Sequence, residues 1–321
     1  MTYKPDLKDK KLLFELDKNS RISLTELAKK LKTSKEVIHY RINNLIDKKI
    51  ILKFHTVPAT YRFDQTAYKV YLKLHDISKL KYENLVEFLQ KNKDIFWIGK
   101  CRGRWDLIFG IWAKTIEDFF EANDKILEKF SKFIQEKELS ISRENIQYNR
   151  RWLYSDESKI IEFDFGEKEE KIKSDETNQK IIKSILNNSR KKIVNIAHET
   201  DLTIDQVAYR IKKMEKENII KGYKCLFNSK ELGFTTTKSF IYFKNINKKK
   251  KKEFIDYCKK IKNTINIIIT FAPWDLEIMF EIESLEKHYE TMEKIKEKFN
   301  DIIRFHEDIL IYQEPKQIFA K

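Results

Sequence analysis

The 321-residue chain is 41% hydrophobic and 36% charged, carries a formal net charge of +15 and has a pI near 9.3. Its length passes the roughly 250–300 residues at which one hydrophobic core stops growing, so two to four domains are expected, and its basicity invites a polyanionic partner. No apolar run approaches the ~18 residues of a membrane span, Met1 to Lys11 has no apolar signal-peptide core, and Cys101, Cys225 and Cys258 lack the spacing of a disulfide framework or zinc site, so a cytoplasmic protein without metal or cofactor is expected.

Asp6 is placed to cap a first helix whose apolar face is Leu12, Leu13 and Leu16, and Asp17-Lys18-Asn19-Ser20 stops it. Ser23-Leu24-Thr25-Glu26 spells a capping box, in which the Ser and Glu side chains satisfy each other's backbone donors, and opens a second helix with Leu24, Leu27 and Leu31 inward. Thr33-Ser34-Lys35-Glu36 repeats the spelling and opens a third, running to about Lys48, with Ile38, Ile42 and Leu45 at helical spacing. Three short helices, the last two joined by a tight turn near Lys32-Thr33, make a helix-turn-helix pattern. With the apolar positions turned inward, Glu36, His39, Tyr40 and Asn43 face outward, where polar groups can meet base edges in a major groove. Lys29, Lys30, Lys32, Lys35, Arg41, Lys48 and Lys49 surround them as phosphate contacts, and Ser34 stands at the helix start. The expected DNA-binding set is therefore Lys29, Lys30, Lys32, Ser34, Lys35, His39, Tyr40, Arg41, Asn43 and Lys48.

After Ile50-Ile51 the period changes. Thr66–Leu74 reads as a strand, Tyr82–Gln90 as a helix, Ile95–Lys100 and Asp106–Trp112 as strands joined by Arg102-Gly103-Arg104-Trp105, Thr115–Phe133 as a long helix and Leu139–Tyr148 as a strand. The order βαββαβ is that of the ferredoxin-like α+β sandwich, whose single sheet carries helices on one face and leaves the other in need of a partner.

Residues 155–174 read as a charged connector with a short strand near Ile160–Phe165. The plan then repeats, with helices at Asn178–Leu186, Lys192–Glu199 and Thr203–Lys216 and a second sandwich from Thr235 onward. Tyr40-Arg41-Ile42 returns as Tyr209-Arg210-Ile211, Ile50-Ile51 as Ile219-Ile220 and Trp105-Asp106-Leu107 as Trp274-Asp275-Leu276, all at one offset of 169 residues. A single offset running from helix to strand marks a duplicated module, larger than the roughly 20–50 residues of a solenoid repeat. The run Asn247 to Lys252 reads as a solvated strand-to-helix turn, and the last strand, Ile309–Gln313, is expected a few residues early relative to Ile146–Arg150, after a shorter final loop. The resulting division is 1–60 and 175–230 for the two helix-turn-helix domains, 61–154 and 231–321 for the two sandwiches.

These residues resemble the Lrp/AsnC family of bacterial and archaeal transcription regulators. The likeness rests on Leu27-Ala28, Val37 through Arg41-Ile42 and Lys49-Ile50-Ile51 in the first unit, on Ile196-Ala197, Arg210-Ile211 and Asn218 to Tyr223 in the second, and on the loop Gly103-Arg104-Trp105-Asp106-Leu107. The resemblance implies winged helix-turn-helix domains, each followed by a ferredoxin-like sandwich, with the two sandwiches paired as an intrachain pseudo-dimer. It implies double-stranded DNA as partner, self-association through the sandwiches, and a small effector such as an amino acid near Arg102, Gly103, Trp105 and Asp106. In the second unit the loop reads Phe271-Ala272-Pro273-Trp274-Asp275, so the glycine is lost; the alternative for Trp105 and Asp106 is a structural role, with Trp in the core and Asp capping the turn.

The two DNA-binding copies differ in charge. Lys29 to Lys53 holds eight Lys/Arg against two Asp/Glu, whereas His198 to Gly222 holds five of each. Phosphate neutralisation supplies much of DNA affinity, so the first copy is the stronger expected contact. Tyr209, Arg210, Lys212 and Lys213 form a weaker second set. A composition biased toward Lys by an AT-rich genome would raise both copies alike. The leading reading is a sequence-specific transcription regulator and not an enzyme. Siroheme decarboxylases resemble the same architecture, but their tetrapyrrole chemistry calls for polar groups including His, and His75 and His306 read as isolated. A sensing or assembly protein that has lost DNA binding is the third alternative.

Overall fold

The computed structural model describes residues 4–59, 65–154, 160–164 and 175–318. Most of the expected connector, 155–159 and 165–174, lies outside them. The helix-turn-helix segments of both halves form one compact unit and the two sandwiches form another.

In the first unit, α1 (Leu7–Lys18), α2 (Leu24–Leu31) and α3 (Lys35–Asp47) pack through Leu12, Leu13, Leu16, Leu27, Ile38, Ile42 and Leu45. Asp6 and Asp9 close a capping box at α1, and Ser23 caps α2. The cap of α3 is Ser34 and not Thr33, its Oγ accepting from the Val37 N–H, because Thr33 still belongs to the turn that Lys32 starts in the left-handed region at φ 49°. A strand absent from the sequence expectation follows, β1 (Ile51–Pro58). The second copy supplies α6 (Glu176–Ile185), α7 (Ile193–Thr200), α8 (Ile204–Lys216) and β7 (Ile220–Phe227). The short strand expected near Ile160–Phe165 is β6 (Glu162–Asp164), whose Phe163 covers Gly222 so closely that a Cβ there would stand 2.3 Å from its ring.

The two copies are joined by exchange. β1 and β7 pair antiparallel, the Ile50 carbonyl accepts from Asn228 and the Ile219 carbonyl from Ala59, both at 2.9 Å. Ser20 N–H donates to the Tyr223 carbonyl and Ser189 N–H to that of Phe54, and the Ser20 and Ser189 hydroxyls meet at 2.7 Å. Each of these bonds has its counterpart 169 residues along, as a twofold relation between the copies requires. Cys225 and Phe227 of β7 complete the apolar core of the first copy, so each three-helix cluster is covered partly by the other half's strand.

In the second unit, the first sandwich runs β2 (Thr66–Leu74), α4 (Lys79–Lys91), β3 (Ile95–Gly103), β4 (Leu107–Ala113), α5 (Ile116–Phe130) and β5 (Ile134–Tyr148). The second runs β8 (Thr235–Phe243), α9 (Lys248–Cys258), β9 (Thr264–Phe271), β10 (Leu276–Ile282), α10 (Leu285–Lys298) and β11 (Ile303–Gln317). Two expectations are corrected. β5 and β11 start at the same offset as the rest of the repeat, so the second final loop is not shortened. Lys248–Lys252 form the first turns of α9 behind the Asn247 cap, not a solvated turn, because Asn247 accepts from the Lys250 N–H.

The strand order β2-β4-β3-β11-β8-β10-β9-β5, with β5 pairing back to β2, closes the two sheets into a ring. Among these strands no edge is left without a neighbour, which removes the usual route to edge-to-edge association. Gly103 serves this closure: at φ +124° it pairs with Ile309, and a Cβ would lie 3.1 Å from the Asp308 carbonyl oxygen. Helices α4 and α5 cover the outer face of the first sheet through Leu85, Leu89, Phe119 and Ile126. The inner faces enclose Tyr71, Trp105, Phe240 and Trp274, and among them lies a charged group.

That group is Glu277. Its Oε2 accepts from Lys69 at 2.9 Å and Lys238 at 2.7 Å, its Oε1 from the Tyr71 hydroxyl at 2.5 Å and the Trp274 indole N–H at 3.3 Å. Burial alone would push the carboxyl up, but Lys238, Lys69 and the Tyr71 bond reverse this and hold it well below the usual carboxylate range. Burial pushes the Lys69 ammonium down to about 8, with Glu277 opposing. The lysines are counterparts in the repeat. The counterpart of Glu277 is Ile108, and the indole N–H of buried Trp105, the counterpart of Trp274, has no partner in the structure.

Glu277→Gln leaves two buried ammonium groups without a counter-ion and should lower unfolding free energy in urea by about 3–5 kcal/mol. The carboxyl's folded pKa lies below its ordinary 4.5, so this stabilisation is present above that pH and lost on acidification; the Gln variant should lack that component. Transferring the carboxylate by Glu277→Ile with Ile108→Glu should recover part of the loss, because Trp105 then gains an acceptor.

Candidate nucleic-acid interface

Helix α3 presents the outward face that its apolar spacing dictates. Lys35, Glu36, His39, Tyr40 and Asn43 are exposed, and with Leu24, Asn44 and Asp47 they line an open groove of about 610 Å³. Tyr40 is 70% exposed, too much for a core aromatic, and Tyr209 of α8 matches it at 68%. Asn43 Nδ2 lies 3.4 Å from His39 Nδ1, one turn away, which sets these two polar groups side by side. Lys29, Lys32 and Lys35 are exposed at the rim, as is Lys48 at the helix end. Lys30 is drawn back toward α1 by Glu15 at 2.8 Å.

Two members of the expected set have other work. Arg41 points to α1, where its guanidinium pairs with Asp6 at 2.9 Å and Asp9 at 2.7 Å, and Arg210 repeats the arrangement with Asp175 and Asn178. Both arginines set the angle between the first and third helices and are positioning residues for the outward face. Ser34 is similarly consumed as the α3 cap. Lys212 and Lys213 are exposed on α8. Sequence reasoning missed the Arg41 pairing because its carboxylate partners lie 32 and 35 residues earlier in the chain.

The expected effector loop is structural in most of its atoms. Trp105 is fully buried among Tyr71 and its neighbours. Asp106 Oδ2 accepts from the Leu74 N–H at 2.8 Å, and Asp275 does the same for Phe243, so the repeated Trp-Asp pair fixes the start of a strand in both sandwiches. Gly103 serves the ring closure, and Arg102 lies over the Tyr312 ring at 5.5 Å. His306, read as isolated, shares Asp308 with His288, each Nε2 at 3.1 Å, because α10 and β11 bring the three together. Among the described residues no group of His, Cys, Asp and Glu could hold a metal, and no helix is long and apolar enough to cross a membrane.

A family model for the winged helix-turn-helix DNA-binding domain matches twice, at residues 5–51 and 174–221. An uncharacterised HTH-type transcriptional regulator of Pyrococcus furiosus is 32% identical over 116 residues, covering 35% of this chain and 76% of that protein. The chain belongs to the HTH-type transcriptional regulators. A Pyrococcus horikoshii HTH-type regulator is 29% identical over a stretch of the same length, and the winged helix-turn-helix domain occurs twice in this chain. The solved structure of the siroheme decarboxylase NirDL covers 98% of this chain and 94% of its own at a TM-score of 0.65, with 10% identity, a likeness of fold alone.

If Arg41 positions α3, Arg41→Ala should lower stability by about 1–2 kcal/mol, since its pairs with Asp6 and Asp9 are partly exposed. Chemical denaturation checks this against Lys35→Ala, which should leave stability unchanged.

Proposed function

We propose that this HTH-type regulator is of the Lrp/AsnC kind and sequence-specific, with one chain bringing two helix-turn-helix copies to a single duplex. The observation that carries the reading is the exposed Lys35, Glu36, His39, Tyr40 and Asn43 face, bordered by lysines, within a module that is twinned by the β1–β7 exchange. Base edges meet the polar face, and Lys29, Lys32 and Lys35 neutralise phosphates. The second copy, with five acidic residues in the matching window, contributes less to the electrostatic part of binding. The loop Arg102–Asp106 does not enter the proposal, because Trp105, Asp106 and Gly103 are committed to packing, capping and ring closure. Of the histidines the enzymatic alternative calls for, His306 shares Asp308 with buried His288, and His75 lies beside Asp76.

Duplex binding followed by fluorescence anisotropy across a salt series tests this. Affinity should fall linearly in log–log form, and Lys29→Gln, Lys32→Gln and Lys35→Gln together should reduce the slope by about 3. Equivalent changes at Lys212, Lys213 and Lys216 should have a smaller effect. Salt-independent binding, or a slope untouched by the first triple variant, would contradict the proposal.

A further inference from the structure

We infer that the duplex recognised by this chain is non-palindromic: two inverted half-sites of unlike sequence, read by unlike helices, so that the chain binds in one orientation only. The inference rests on the DNA-reading function proposed above and specifies its ligand. Its first support is the exchange symmetry of the helix-turn-helix unit. Antiparallel pairing of β1 with β7, the reciprocal bonds of Ser20 with Tyr223 and Ser189 with Phe54, and the Ser20–Ser189 hydroxyl contact relate the copies by a twofold axis. A twofold pair of readers meets half-sites in inverted orientation. The turns agree as well: Lys32 and Asp201, 169 residues apart, both take the left-handed conformation between the second and third helix of their copy.

The second support is the disagreement of side chains on that common backbone. At the same offset, Lys35 corresponds to Ile204, His39 to Ala208, Asn43 to Lys212 and Asn44 to Lys213, while Glu36 and Asp205 keep only their charge and Tyr40 and Tyr209 are alike. The chemistry each surface offers to base edges differs accordingly. Asn43 carries an amide that can pair with adenine N6 and N7. In α8, Ile204 is 53% exposed and with Ala208 offers apolar contact of the kind that suits a thymine methyl, while Asp205 is an acceptor suited to cytosine N4. Val194, equally exposed at 53%, stands where the first copy has Thr25 and extends that apolar character. A palindrome would offer both helices the same bases. Each mismatched pair costs about 1–3 kcal/mol, so surfaces this different are not served by identical half-sites.

Selection of full-length protein on random duplex DNA, at two salt concentrations, tests the inference. The expected motif has two unlike halves centred about one helical turn, roughly 10–10.5 base pairs, apart. His39→Ala with Asn43→Ala, on an exposed face, should relax base preference in one half only. Asp205→Ala with Lys212→Ala should relax the other half only. An enriched palindrome, a motif with a single half, or either variant relaxing both halves equally would overturn the inference while leaving the regulator function standing. No enriched motif together with salt-independent binding would overturn both.

Discussion

Lys69 and Lys238, counterparts in the repeat, share one buried carboxylate in the interior between the two sheets. Taken alone, each ammonium in that interior would cost several kcal/mol, and one Glu277 with Tyr71 and Trp274 around it makes both tolerable. The arrangement is selective. Two copies of the first sandwich would bring together two Lys69 side chains with Ile108 and no carboxylate, whereas first against second supplies Glu277 to both lysines. The pairing of unlike sandwiches is thus written into the interior, and the covalent link between them makes it independent of protein concentration.

The same logic of exchange governs the helix-turn-helix unit, where β1 and β7 complete one another and Cys225 and Phe227 finish the first copy's core. Residues that maintain the exchange are kept in both halves: Ser20 with Ser189 and Arg21 with Arg190. Residues that face outward mostly are not, Tyr40 and Tyr209 excepted. A homodimer must present one surface twice, so its recognition face and its partner's cannot differ. Duplication inside one chain lifts that constraint, and α3 and α8 have used the freedom while their buried Ile42 and Ile211 stay the same.

Much of this was legible in the residues because it is local. Apolar spacing and capping side chains placed α1 to α3 and α6 to α8 within a few residues, and the βαββαβ order followed from alternation and turn composition. What was not legible depends on distant partners. β1 and β7 each pair with a strand far along the chain, so neither carries a local signature stronger than a few β-branched residues. Lys69 and Lys238 carry no local sign of burial, because their counter-charge, Glu277, lies on another strand. Gly103 suggested ligand access, and its reason is instead the close approach of β11. Arg41 beside other basic residues looked like a phosphate contact, whereas Asp6 and Asp9 claim it across the three-helix cluster.

On the proposed function, a single chain occupies both halves of one duplex with its two helix-turn-helix copies. Native mass spectrometry of the protein on its selected duplex, paired with hydroxyl-radical footprinting of that complex, tests it most directly. The account predicts one chain per duplex and two protected stretches on the same face, about one helical turn apart. Two chains per duplex, or one protected stretch, would contradict it.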